Sequence, residues 1–224
     1  MTAPIRFIDI FWLLLGANLA AVLMYLAVSI GYPSASVSAS ALVSSAWILL
    51  GYGGVVGDRG WEPIRTRFLP VDTRVLWASA AAAVGLVLLF ALLTEILRSF
   101  GVDMRDSTPS PLLPDRPSQL PLAILVMVIL APLSEEVIFR GLLLDWLRQH
   151  VAAWVAVVVI SFVFSILHFN NFKDGVVGWL AFSIRFLVGI ATSILAIRYR
   201  SLRPSVVFHG SFNGFICVAN AIGW

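Results

Sequence analysis

The chain has a single cysteine, Cys217, and a single lysine among its fifteen basic residues. One thiol excludes an intramolecular disulfide and any cysteine-cluster metal site. Cys217 stands in an apolar segment and reads as a buried side chain. No HExxH and no GxSxG pattern is present, which removes the signatures of zincins and of serine hydrolases with a nucleophile elbow. Charge is scarce too. Only 12% of the 224 residues are charged, about half the share of a globular domain. The net charge is +3 without a long basic run, so nucleic acid is excluded as an expected partner.

What is abundant is hydrocarbon. The chain is 60% hydrophobic with a mean hydropathy of +0.95, more than a soluble domain of this length can bury. The pattern predicts an all-α protein, a polytopic transmembrane helical bundle of about seven spans: 8–31, 36–56, 75–97, 119–147, 151–169, 175–198 and 204–223. The first is too long for a signal-peptide core. Small residues crowd the second and third spans, which suits close helix packing. The organisation expected is N-terminal helices over 1–98, a polar, proline-rich loop over 99–118, and a helical core over 119–224, in one integral domain. Arginine and lysine number nine in one set of connections, counting Arg198 at the end of the sixth span, and four in the other. That predicts a cytoplasmic N-terminus and an outer C-terminus.

Against this background the stretch APLSEEVIFRG (131–141) is anomalous. Each charge near a bilayer centre costs about 2.5–3.5 kcal/mol on insertion scales, yet two of the four glutamates of the chain, Glu135 and Glu136, lie here with Arg140. Glu136 and Arg140 are one helical turn apart and can pair. Glu135 points about 100° away and needs another partner or a hydrated cavity. Two later spans carry polar groups at the same spacing: Phe164 and His168, then His209 and Asn213. Polar groups in lipid gather to satisfy one another. A carboxylate and an imidazole facing one water can activate it, and a second imidazole with an amide can stabilise an oxyanion. That constellation suits hydrolysis of an amide bond. Two histidines and two glutamates could also hold a metal ion.

The ordered set EExxxR, FxxxH and HxxxN resembles the CPBP family, the CAAX prenyl endopeptidases and bacteriocin-processing or immunity (Abi) proteins. The resemblance covers about residues 119–223. It implies an intramembrane glutamic endopeptidase in which Glu135 and His168 activate water and His209 and Asn213 form the oxyanion pair. Glu136 and Arg140 would hold the site or the substrate terminus, and Phe164 would pack within the second motif. No cofactor is implied, although a metal ion remains an alternative. The expected partners are a peptide or protein substrate reaching the membrane and the lipid bilayer. The expected location is a bacterial plasma membrane.

The rivals are a non-catalytic immunity or interaction protein of the same fold and a transporter with a proton relay; the latter is disfavoured by the lack of an inverted repeat. Arg185, inside the sixth span, belongs to none of the three motifs. Depth raises a difficulty. On straight helices Glu135 lies roughly 20 Å from the inner end of its span, whereas His209 lies only about five residues past Pro204. Either the fourth span projects beyond the membrane or the 199–208 stretch dips inward.

Overall fold

A computed structural model describes residues 7–29, 41–50, 67–102, 120–168 and 175–221. Most of the proline-rich loop and the ends of the second span lie outside the described residues. Among those described, all regular structure is helical. The helices are α1 (Phe7–Ser29), α2 (Ala41–Leu50), α3 (Thr73–Ser99), α4 (120–147), α5 (Ala153–Leu167), α6 (Gly175–Tyr199) and α7 (Arg203–Ala221). By length and composition, three regions qualify to cross a membrane: Ile10–Ala27 in α1, and α3 and α6. α5 has 15 residues and reaches only about 22 Å, less than a hydrocarbon core. The expectation of about seven spans therefore stands, in the described residues, as seven helices of which three meet that criterion.

The distribution of polarity is inverted relative to a water-soluble fold. Leu19, Leu23, Leu89, Leu92, Phe162 and Val218 are exposed, while Ser134, Glu136, Arg140, Ser161, Ser165, Thr192, Ser205 and His209 are buried. An apolar exterior around a polar interior is what a hydrocarbon solvent selects. One apolar cluster runs through all seven helices, from Ala17 and Ile48 through Ala83, Ile138, Phe164 and Val188 to Phe208.

α4 is not a plain α-helix. Two π-helical stretches, Leu125–Leu130 and Val137–Leu143, bracket the α-helical piece Ala131–Glu136. Such wide turns recur at functional sites because they re-aim side chains and free carbonyls. Pro132 has no N–H to donate. In the π register, where the Ala131 N–H bonds the Val126 carbonyl, the carbonyl left without its donor is that of Met127. α7 supplies one: Asn213 Nδ2 donates to it at 2.9 Å. At the same crossing Gly210 lies so close to α4 that a Cβ there would stand 2.6 Å from the Val128 carbonyl oxygen. Glycine is required at that contact.

The depth difficulty is resolved by the turn before α7. Ser205, two residues into α7, donates to the carbonyl of Thr192 at 2.8 Å, and Thr192 is seven residues before the end of α6. Leu202 packs against Gly141, six residues before the end of α4. The turn is thus tucked below the ends of its neighbours by roughly 7–9 Å, which carries His209 down to the level of Glu136. The same end is tied together by a hydrogen bond from Leu202 N to the Arg67 carbonyl, by Ser201 Oγ to the Leu69 carbonyl, and by an ion pair between Arg67 and Asp145.

Candidate active site

Glu136 is the hub of the buried charge. Its Oε1 accepts from Arg140 Nη1 at 3.0 Å and from His209 Nδ1 at 2.9 Å. Glu136 and Arg140 side chains are both 0% exposed. The second guanidinium arm of Arg140 donates to the Gly189 carbonyl at 3.1 Å. Gly189 also packs directly on Ser161, where a Cβ would stand 2.8 Å from the serine Cβ. The Arg140 guanidinium also lies 4.8 Å from the centre of the Phe164 ring, a cation–π contact. Burial of both side chains is compatible with holding the site, the first of the two supporting roles expected for them.

Phe164 stands at the centre of the constellation. Its ring is 5.1 Å from Phe139, 4.5 Å from His168 and 5.6 Å from His209. His168 terminates α5: its backbone has left the helix, and its Nδ1 lies 2.7 Å from the Phe164 carbonyl. This agrees with the expected fifth span, 151–169, in which His168 stands one residue from the end. A carbonyl can only accept, so Nδ1 carries the hydrogen, and the neutral ring presents an Nε2 lone pair. The same logic applies to His209, whose Nδ1 faces the arginine-paired carboxylate of Glu136.

Both Nε2 atoms point at one target. Glu135 Oε2 is 3.6 Å from His168 Nε2 and 3.6 Å from His209 Nε2. That oxygen is buried and has no hydrogen-bond partner among the described residues. The Glu135 and His168 side chains remain 24% and 35% exposed, against 5% for His209, so the site opens on the Glu135–His168 side. Three acceptor atoms thus face one another with no hydrogen between them in the neutral state. What fits there is a donor, and a water molecule brings two hydrogens. Among the described residues no three His, Cys, Asp or Glu side chains are disposed to hold a metal ion.

The chain's similarity to known proteins falls on this region. Residues 117–215 match the family model described as type II CAAX prenyl endopeptidase, Rce1-like. Glu135, Glu136, Arg140, Phe164, His168, His209 and Asn213 all lie inside the Rce1-like stretch, which ends two residues past Asn213. The chain is also 33% identical over 90 residues to an Escherichia coli protein named "Uncharacterized 24.3 kDa protein"; that alignment covers 39% of each chain. No solved structure matches.

Two features of the site were not read from the sequence. The bond from His209 to Glu136 was missed because the i,i+4 spacing assigned Glu136 to Arg140 alone. Asn213 was placed in the oxyanion pair, and one of its two amide hydrogens is committed to Met127. Pro132, within the charged stretch, was the signal that a carbonyl would need an outside donor. The serines near the site are structural bonds: Ser134 to Ser45, Ser161 to the Val157 carbonyl and Ser165 to the Phe182 carbonyl.

Proposed function

We propose that the chain is a membrane-embedded endopeptidase that hydrolyses a peptide bond with water activated by Glu135 and His168. The observation that carries this reading is the convergence of two imidazole Nε2 atoms on the partnerless Oε2 of Glu135, in a stretch matching the Rce1-like family. Water held there donates one hydrogen to Glu135 and is oriented by His168. As its oxygen attacks the scissile carbonyl carbon, its proton passes to Glu135. The C–N bond of the tetrahedral intermediate then breaks, and Glu135 returns the proton to the leaving amine.

Stabilising the oxyanion falls to His209 and to the remaining amide hydrogen of Asn213. For His209 to donate from Nε2 while Nδ1–H stays on Glu136, the ring must be an imidazolium. The Glu136 carboxylate at 2.9 Å is the group that would support that charge. The substrate is a peptide or protein entering from the bilayer, and a bacterial plasma membrane is the setting proposed.

The test is cleavage of a diverse peptide pool by the purified protein in lipid, beside Glu135→Ala, with and without a strong chelator. Cleavage lost in Glu135→Ala and kept under chelator is expected. Cleavage that persists in the variant removes Glu135 as base, and loss under chelator transfers the reaction to a metal. No cleavage by the wild type favours the non-catalytic interaction protein.

A further inference from the structure

α6 carries an arginine that the peptidase chemistry leaves unused. Arg185 stands ten residues from the start of α6 and fourteen from its end, deep within a helix long and apolar enough to cross a membrane. It shares one face with Gly178, Phe182 and Gly189, at helical spacings of four, three and four. Two of those neighbours are pinned to the site. The Phe182 carbonyl accepts from Ser165 Oγ at 2.6 Å. Gly189 abuts Ser161 and gives its carbonyl to Arg140. Ser161 and Ser165 belong to α5, the helix that carries Phe164 and ends at His168. Arg185 therefore sits between two anchored turns, on the stripe of α6 that faces the site.

Arg140 shows how this fold treats a buried guanidinium: a carboxylate, a carbonyl and an aromatic face surround it. Arg185 is half-buried, yet among the described residues it has no hydrogen bond and no carboxylate partner. A cation in a membrane-crossing helix is costly and is retained where something anionic meets it. A planar guanidinium receives a carboxylate in two parallel hydrogen bonds.

We propose that Arg185 is a specificity-determining residue that receives a carboxylate of the peptide substrate near the scissile bond. The proposal rests on the peptidase reading and adds the chemistry by which a substrate is chosen. The carboxylate has two sources, an acidic side chain or a free C-terminus, and both present the same group to the guanidinium.

A peptide cleaved by the wild type would be made in three forms: neutral with an amidated end, with one glutamate added beside the scissile bond, and with a free C-terminal carboxylate. Steady-state cleavage in lipid vesicles would be compared for wild type, Arg185→Gln and Arg185→Lys, each checked for folding by thermal unfolding. The wild type is expected to show a KM lower by about tenfold or more for one carboxylate form, which identifies the source. Arg185→Gln should erase that preference through KM while kcat stays within about threefold, and Arg185→Lys should keep part of it. A wild type indifferent to the carboxylate, or an Arg185→Gln that keeps the preference, overturns the inference and leaves the peptidase reading standing. If Arg185→Gln does not fold, an undiminished preference in Arg185→Lys overturns the two-bond recognition. No cleavage of any peptide by the wild type overturns the peptidase reading and this inference with it.

Discussion

At the scale of single residues, burial separates the two adjacent glutamates into different roles. Glu136 is sealed and shared between Arg140 and His209, whereas Glu135 is partly open and offers a partnerless oxygen to two imidazoles. Removing one member of a buried ion pair strands the other, at a cost of about 3–5 kcal/mol. Glu136→Gln is therefore expected to lose stability on that scale, measured by unfolding in detergent, and to lose activity. Glu135→Gln, whose Oε2 makes no bond among the described residues, is expected to unfold within about 1 kcal/mol of the wild type while abolishing cleavage. Equal destabilisation by the two variants would contradict the division of labour. The i,i+4 spacing made the Glu136–Arg140 pair readable in the sequence. The His209–Glu136 bond spans 73 residues and was not readable, because no local periodicity relates α7 to α4.

At the scale of helices, the decisive contact is the crossing of α4 and α7. Pro132 leaves the Met127 carbonyl without its donor, Asn213 fills the gap, and Gly210 permits the approach. Gly210→Ala is expected to push α7 away from α4, since the obstacle is a backbone oxygen that cannot rotate aside. His209 and Asn213 move with α7, so activity should fall by at least about tenfold, a displacement of an ångström being enough to cost that much or more. The melting temperature should fall as well. Gly85, whose Cβ would meet nothing within 4 Å, is the control: Gly85→Ala should fold and cleave like the wild type. An active, unshifted Gly210→Ala would mean that the crossing does not set the site. Glycine within a predicted helix was visible in the sequence, but which backbone it faced was not.

For the whole molecule, the question is orientation. The connections bearing most arginines meet at one end: Arg67 pairs with Asp145, Arg148 lies 3.7 Å from the same carboxylate, and Leu202 bonds the Arg67 carbonyl. The positive-inside rule assigns this end to the cytoplasm. In a Cys217→Ser background, Phe100→Cys should be labelled by an impermeant thiol reagent in intact cells, and Gln149→Cys only after permeabilisation. The reverse pattern would invert the assigned orientation without touching the site. The helical bundle was legible because backbone groups in hydrocarbon must bond within their own segment. The number of crossings was less so: α5 is short and α4 is interrupted, and neither property changes the run of apolar residues.

The amino-acid sequence alone determined that the protein is helical and apolar outside, and that three segments carry polar groups at one-turn spacing. These are local properties, set by hydropathy and by the pitch of the helix. Tertiary structure alone decided that the turn before α7 sinks below its neighbours, that Glu136 serves both Arg140 and His209, and that two Nε2 atoms meet at Glu135. Those outcomes depend on helix register, on close approach at Gly189 and Gly210, and on carbonyls released by a proline and π turns. Each is a balance between distant segments, and no single segment encodes it.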